Sequence, residues 1–144
     1  MFRKPELARI LVEQILHCRD RGFYGLHSFV VVPEHFHVLL TPSEGTTLEK
    51  AVQMIKGGSA YRMRKELDHK RQVWQPGYHD CWIRDAQEYE IRKRYIALNP
   101  VTARLVDRAE EYPLSSANGS FRLNVSQFEE TGTSGAKAPA VEPS

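Results

Sequence analysis

Residues 29–40 read Phe-Val-Val-Val-Pro-Glu-His-Phe-His-Val-Leu-Leu, and this stretch decides the fold. Its apolar runs, 29–32 and 38–40, are separated by a Pro-Glu pair, which is typical of two short antiparallel strands joined by a turn. Side chains alternate across a strand, so His35 and His37 are predicted to share one face while the phenyl ring between them enters the core. The stretch therefore predicts a strand pair with two imidazoles on one side.

Helical spacing of apolar residues around this strand pair predicts three helices. They run from Pro5 to about Arg21, from Leu48 to about His69, and from Ala86 to about Leu98, with a short strand within 74–83. The third helix is expected to stop or kink at its end because Asn99 precedes Pro100, and a residue before proline is pushed out of helical geometry. Pro100 is then expected to open another short helix through Leu105.

The two histidines are the sharpest chemical feature of the sequence. Imidazoles that converge on one strand face can hold a divalent metal, although a pair of half-exposed histidines without a ligand role has the same pattern. Two phosphate-handling classes are set aside. A histidine-triad nucleotide hydrolase needs a third His where Leu39 stands, and a two-histidine phosphoesterase needs a second His-x-Thr or His-x-Ser, which this sequence lacks.

A second feature is Tyr95 with Asn99 four residues later. On a helix these side chains share a face, and Arg92 lies on the same stripe one turn earlier, so a nucleophile would sit beside a metal ligand. The alternative interpretation makes Ile91, Tyr95 and Leu98 an apolar stripe that packs in the core, with Asn99 as a helix N-cap.

Three strings carry a family resemblance: VVPEHFHVLL at 31–40, WQPGYHDCWIRD at 74–85 and YIALNPVTARLV at 95–106. In order and spacing they resemble successive motifs of the HUH-type single-tyrosine transposases of insertion sequences, and the REP-associated tyrosine transposases most of all. The resemblance covers roughly residues 5–115. It implies an α+β fold, in which helices pack on a ferredoxin-like antiparallel sheet (the HUH endonuclease fold).

The resemblance also implies a domain organisation. Residues 1–115 would form the HUH transposase-like domain and 116–128 a C-terminal extension. Residues 129–144 are polar, rich in Gly and Pro and without an apolar period, which predicts a disordered tail. The family fold begins with a strand before the first helix, whereas this sequence opens on the helix, so the first strand is expected to be missing. Residues 120–125 are the other segment that could fill a strand position.

The function implied by the resemblance is metal-dependent nicking and strand transfer of single-stranded DNA through a covalent 5′-phosphotyrosine intermediate. Carried over by position, His35, His37 and Asn99 hold the metal, which is Mg²⁺ or Mn²⁺, and Tyr95 is the nucleophile. The DNA partner is single-stranded or folded as a hairpin, and the protein is a monomer or a homodimer. The alternative is a catalytically impaired, truncated nucleic-acid-binding remnant of the same fold, and an unrelated metal phosphohydrolase is a third hypothesis.

Charge is compatible with a DNA partner but does not require one. Residues 1–108 hold 18 Lys or Arg against 13 Asp or Glu, whereas the remainder holds 2 against 5, so the formal charges are +5 and −3. The residues predicted to contact DNA are Lys56, Arg62, Lys65, Arg84 and Arg92. The competing interpretation of the basic residues on the second helix is that they form a face exposed to solvent without a DNA contact.

Composition excludes several other classes of protein. Apolar residues make up 41% of the 144 residues, enough for one packed core, and no run approaches the roughly 18 apolar residues of a membrane span. The start lacks the apolar segment of a signal peptide, so a cytoplasmic location is expected. Two cysteines, Cys18 and Cys81, are too few for a disulfide framework.

Overall fold

The helices and strands follow the periodicities of the sequence closely. The computed structural model describes residues 5–33, 35–69, 79–126, 128 and 138–142. The helices are α1 (Pro5–Asp20), α2 (Leu48–Leu67) and α3 (Ala86–Thr102), and the strands are β1 (Tyr24–Val31), β2 (Phe36–Pro42), β3 (His79–Ile83) and β4 (Ala138–Glu142). The predicted class, an antiparallel sheet with helices packed on it, is confirmed. Residues 74–78 of the predicted third strand lie outside the described part.

The four strands form one antiparallel sheet in the order β1-β2-β4-β3. The β1–β2 hairpin pairs Tyr24 with Pro42 at one end and Val31 with Phe36 at the other. A bulge between Leu26 and Ser28 shifts the alternation of β1 by one residue, so residues on both sides of it face the same core.

The sheet separates two apolar clusters. Helices α1 and α2 cover one face, where Ile10, Ile15 and Ile55 pack with Phe36 and Val38 of β2. Helix α3 covers the other face through a smaller cluster that contains Val30, Leu39, Ile83, Tyr89, Ile96 and Phe128. Residues of β2 therefore alternate between the two clusters, and His37 lies on the α3 face.

The third helix does not stop at Leu98, so that part of the prediction is wrong, and a kink there stays a prediction. Helix α3 continues through Pro100 to Thr102, because Pro100 is buried and the last turn is closed by hydrogen bonds from Ala103 N to the Asn99 carbonyl and from Leu105 N to the Pro100 carbonyl. The missing N–H of Pro100 costs one backbone hydrogen bond near the helix end, where that loss is tolerated. Asn99 is therefore inside the helix.

The prediction of a disordered tail over 129–144 is wrong for residues 138–142, which form β4 inside the sheet. An interior position offers backbone partners on both sides, which stabilises an extended segment that has little apolar pattern of its own. Residues 120–125 contain no strand. They run along the outer edge of β1, where Asn124 N donates to the Leu26 carbonyl at 2.7 Å and Leu26 N donates to Asn124 Oδ1 at 2.9 Å. The domain boundaries at 115 and 128 stay predictions.

Candidate active site

The two histidines take the orientation that the strand pattern predicts. Phe36 is fully buried among the residues under α1 and α2, so His37 points to the opposite face, toward α3. His35 is half-buried just before β2 begins, and its ring centroid lies 4.5 Å from that of His37. His37 is only 3% exposed, which distinguishes this arrangement from a pair of half-exposed edge histidines.

Helix α3 carries Tyr95 and Asn99 to the same place. Its N-cap Asp85 accepts a hydrogen bond from Glu88 N, and Tyr89 and Ile96 anchor it in the apolar cluster above the sheet. The Tyr95 ring centroid lies 5.7 Å from that of His37, at nearly a right angle.

The apolar stripe of α3 is not a core face, so the structure excludes that interpretation of Tyr95. Ile91 is 62% exposed, Tyr95 47% and Leu98 42%. These side chains border an open groove of about 430 Å³, which Thr102 also lines. The groove was missed because a stripe at spacings of three and four has the same sequence pattern whether a core or solvent covers it.

Asn99 and His37 meet directly. Asn99 Nδ2 lies 3.3 Å from His37 Nε2. Nitrogen and oxygen ligands bind divalent metals at about 2.0–2.2 Å, so two donors on one ion lie about 3.0–3.4 Å apart. The spacing therefore suits a shared metal ion once the amide rotates by half a turn and presents Oδ1. Within the described residues no three His, Cys, Asp or Glu side chains form a metal-binding group. Asn99 as the third metal ligand stays a prediction.

Burial keeps His37 in the form that binds a metal. Desolvation lowers the pKa of His37 to about 3, with further lowering from the charges of His35 and Arg92. The imidazole is therefore neutral at physiological pH and keeps one nitrogen lone pair for coordination. A cleft of about 330 Å³ between His35, Asn99 and Thr102 gives access to this site.

Two of the predicted DNA-contacting residues are near α3. The Arg92 guanidinium lies over the Tyr95 ring, 5.4 Å from its centroid. Arg84 is exposed immediately before α3, and its backbone N donates to the Glu88 carboxylate at 2.8 Å.

The other three lie on α2, across the sheet from Tyr95. Arg62 forms ion pairs at 2.7 Å with both Glu13 of α1 and Glu66. Burial lowers the pKa of Lys56, and the Lys65 ammonium lies 5.8 Å from the centroid of the Tyr61 ring. The structure thus separates the predicted basic residues into two groups, and a DNA contact at Lys56, Arg62 and Lys65 stays a prediction.

Comparisons with known proteins show what the chain is similar to. A family profile described as "Transposase IS200 like" matches residues 4–99. The chain is 30% identical over 102 residues to the REP-associated tyrosine transposase of Escherichia coli strain K12, which is 68% of this chain and 56% of that protein. It therefore spans about half the length of this curated relative.

A solved structure gives a likeness in fold. The structure of a REP-associated tyrosine transposase bound to a REP hairpin matches with a TM-score of 0.60 and 23% identity, over 90% of this chain and 78% of the other. At this identity the match shows the fold alone.

In the described part of the chain, no helix is both long and apolar enough to cross a membrane.

Proposed function

This chain belongs to the IS200-like transposase family, and on that premise we propose that it nicks single-stranded DNA with Tyr95 and transfers the cut strand through a covalent 5′-phosphotyrosine. The observation that carries the proposal is the meeting of α3 with β2. An exposed phenol lies beside a buried, neutral imidazole that contacts the side chain of Asn99. In this role the protein is a transposase or a domesticated relative of one.

His35, His37 and Asn99 would hold a divalent metal ion, Mg²⁺ or Mn²⁺, beside Tyr95. When bound, such an ion polarises the scissile phosphate and stabilises the charge that develops on it. The mixed donor set of two imidazoles and one carboxamide leaves positions open for water and a phosphate oxygen.

Tyr95 supplies the nucleophilic oxygen. A protonated phenol is a poor nucleophile, so the reaction depends on polarisation of the scissile phosphate, most of which the bound ion would supply. The Arg92 guanidinium lies over the Tyr95 ring, 5.4 Å from its centroid, where it can contact a DNA phosphate. Attack of Oη on phosphorus breaks the P–O3′ bond, releases a 3′-hydroxyl and leaves the 5′-phosphate on Tyr95. A free 3′-hydroxyl can later reverse this step and rejoin strands.

The proposed DNA partner is a single strand or a hairpin with a single-stranded flank. The solved relative is bound to a REP hairpin, and DNA strands carry a regular array of phosphates. Arg84 lies just before α3 and Arg92 lies one turn before Tyr95 on it, where both can contact DNA phosphates. We infer a cytoplasmic location from this substrate, and a monomer or homodimer stays a prediction.

A gel assay tests the proposal directly. Hairpin-tailed single-stranded DNA is incubated with the full chain and Mn²⁺, and covalent protein–DNA adducts are resolved under denaturing conditions. The wild type and Tyr61→Phe are expected to form the adduct, because Tyr61 is an exposed tyrosine on the opposite side of the sheet, whereas Tyr95→Phe forms none. DNA binding without an adduct under any metal would instead identify a non-catalytic binding protein of the same fold.

A further inference from the structure

The end of α3 is closed by a backbone motif that usually contains glycine. Leu105 N donates to the Pro100 carbonyl and Arg104 N donates to the Val101 carbonyl, both at 2.9 Å, and the φ angle of Arg104 is +61°. This pair of hydrogen bonds is the Schellman motif, in which the residue after the helix cap is left-handed and is most often Gly. A residue with a Cβ is strained in that conformation, so Arg104 occupies a position that favours glycine.

The strain at Arg104 is not matched elsewhere in the described ranges. One other non-glycine residue there has a positive φ, Asp68 at the end of α2, with φ 53°. Asp tolerates this conformation because its short polar side chain can hydrogen-bond locally, whereas the long side chain of Arg cannot compensate in that way. Strained backbone positions cluster at functional sites, where the side chain they carry is used. The conformation of Arg104 therefore indicates a use for its guanidinium.

The cleft at the end of α3 is the place where that use would lie. The two sequence neighbours of Arg104, Ala103 and Leu105, line the cleft of about 330 Å³ that His35 and Asn99 also line. The Arg104 side chain is exposed, and within the described part of the chain it has no ion-pair partner. A guanidinium beside this cleft is therefore available to an anion from outside the protein.

We propose that Arg104 binds a backbone phosphate of the DNA strand at this cleft, an inference that rests on the proposed function because the strand is the one that Tyr95 cleaves. An α-helix rises about 1.5 Å per residue, so Thr102 at the end of α3 lies about 10 Å along the axis from Tyr95. Neighbouring phosphates of one strand are about 3.4 Å apart along a duplex axis. Arg104 therefore holds a phosphate other than the one that Tyr95 attacks, and it contributes to DNA affinity and not to the chemical step.

A purely structural role for Arg104 makes different predictions. A cation near a helix C-terminus interacts favourably with the carbonyl groups there, so in that role Arg104→Gly would lower the Tm and leave DNA binding unchanged. With a phosphate contact, DNA binding weakens. Because loss of the Cβ also relieves the backbone strain, the Tm of Arg104→Gly is expected to rise by about 2–4 °C.

Fluorescence anisotropy with a labelled, hairpin-tailed single-stranded DNA across a salt series measures the contact in the full chain. Arg104→Gly is expected to bind about three- to tenfold more weakly and to reduce the magnitude of the salt slope by about 0.7, the amount for one phosphate contact. Arg104→Lys is expected to keep the slope because it keeps the charge. Arg108→Gln is the control, since it removes the same charge four residues later, from a guanidinium that is already paired with Glu110, and it is expected to bind like the wild type.

Adduct formation with Mn²⁺ separates the phosphate contact from the proposed function. At saturating DNA, Arg104→Gly is expected to form the adduct at the wild-type rate. Wild-type affinity and salt slope in Arg104→Gly would overturn the proposal, as would a lower Tm, equal losses of affinity in Arg104→Gly and Arg108→Gln, or loss of the slope in Arg104→Lys. A wild type that binds the DNA but forms no adduct refutes the proposed function, while the anisotropy comparison still decides the role of Arg104.

Discussion

Asn99 of α3 reaches His37 of β2 across 62 positions of sequence, with 3.3 Å between Nδ2 and Nε2. This contact fixes the side of α3 that faces the histidines and places Tyr95, one turn earlier, against the same imidazole. If α3 ended at Leu98, Asn99 would lie outside the helix and its side chain would not be placed against His37. Continuation of α3 through Pro100 is therefore the local feature on which the site depends.

Metal binding is expected to depend on His35 more than on Asn99. His35→Ala should abolish metal-dependent cleavage with little loss of stability, because the side chain is half-buried at the strand end. Asn99→Leu should weaken Mn²⁺ binding less, since a carboxamide is the weaker donor. Isothermal titration with MnCl₂ measures both, and His17→Ala, which removes an exposed histidine on α1, is the control. Equal Mn²⁺ affinity in His35→Ala and the control would contradict the ligand assignment.

The free energy of unfolding is expected to decrease as the pH is lowered, because of the shifted pKa of His37. Its pKa is about 3 in the fold, against about 6.5 in an unfolded chain, so between these values the unfolded state binds the extra proton. The stabilisation is complete above about pH 6.5 and is lost as pH falls toward 3, by up to about 1.4 kcal/mol per pH unit. Urea unfolding of metal-free protein at several pH values measures the slope. The slope should be smaller in His37→Gln, and parallel curves for the two proteins would show that His37 titrates normally.

DNA affinity is expected to depend on Arg92, and a comparison with Arg62 tests whether α2 also contacts DNA. Arg92→Gln should weaken single-stranded DNA binding and reduce the magnitude of the salt slope by about 0.7, the amount for one lost phosphate contact. If α2 presents a solvated face, Arg62→Gln leaves both unchanged and lowers the free energy of unfolding by about 0.5 kcal/mol, because Arg62 is engaged by Glu13 and Glu66. Fluorescence anisotropy across a salt series provides the comparison. Equal losses of DNA affinity in the two variants would show that the DNA-binding surface includes α2.

Adjacent glycines in α2 are expected to respond differently to alanine. Gly57 has open space where a Cβ would stand, so Gly57→Ala should raise the free energy of unfolding by about 1 kcal/mol through helix propensity. A Cβ at Gly58 would overlap Nε2 of Gln14, which donates to the Met54 carbonyl at 3.1 Å. Displacing Gln14 costs about one hydrogen bond, so Gly58→Ala should be about 1 kcal/mol less stable than Gly57→Ala. Thermal or urea unfolding that ranks the two variants equally would show that α1 and α2 are packed less closely.

The sequence predicted those parts of the fold in which a side-chain pattern determines the structure. Alternation in β2 was sufficient to place His35 and His37 on one face and Phe36 on the other. The rule for a residue before proline failed at Asn99, because burial of Pro100 and the hydrogen bonds after it outweigh one missing donor. Strand β4 could not be predicted, since residues 138–142 have almost no apolar pattern and are held by backbone pairing on both sides.

Tertiary contacts also bear on the predicted DNA contact of Arg62, which stays a prediction. Arg62 was assigned to a DNA groove because basic residues follow one another along α2, and only the packing of α1 against α2 shows that Glu13 lies opposite its guanidinium. The position of Arg92, in contrast, follows from the sequence alone. It lies over Tyr95 because the two residues are three apart on one helix.

The identity of the residue that becomes linked to DNA tests the proposed role of Tyr95 as the nucleophile. Wild-type protein is incubated with hairpin-tailed single-stranded DNA and Mn²⁺, the adduct is digested with protease and nuclease, and the modified peptide is sequenced by mass spectrometry. A nucleotide joined through its 5′-phosphate to Oη of Tyr95 is expected. A nucleotide on any other side chain, or no covalent product from wild-type protein that binds the DNA, would contradict it.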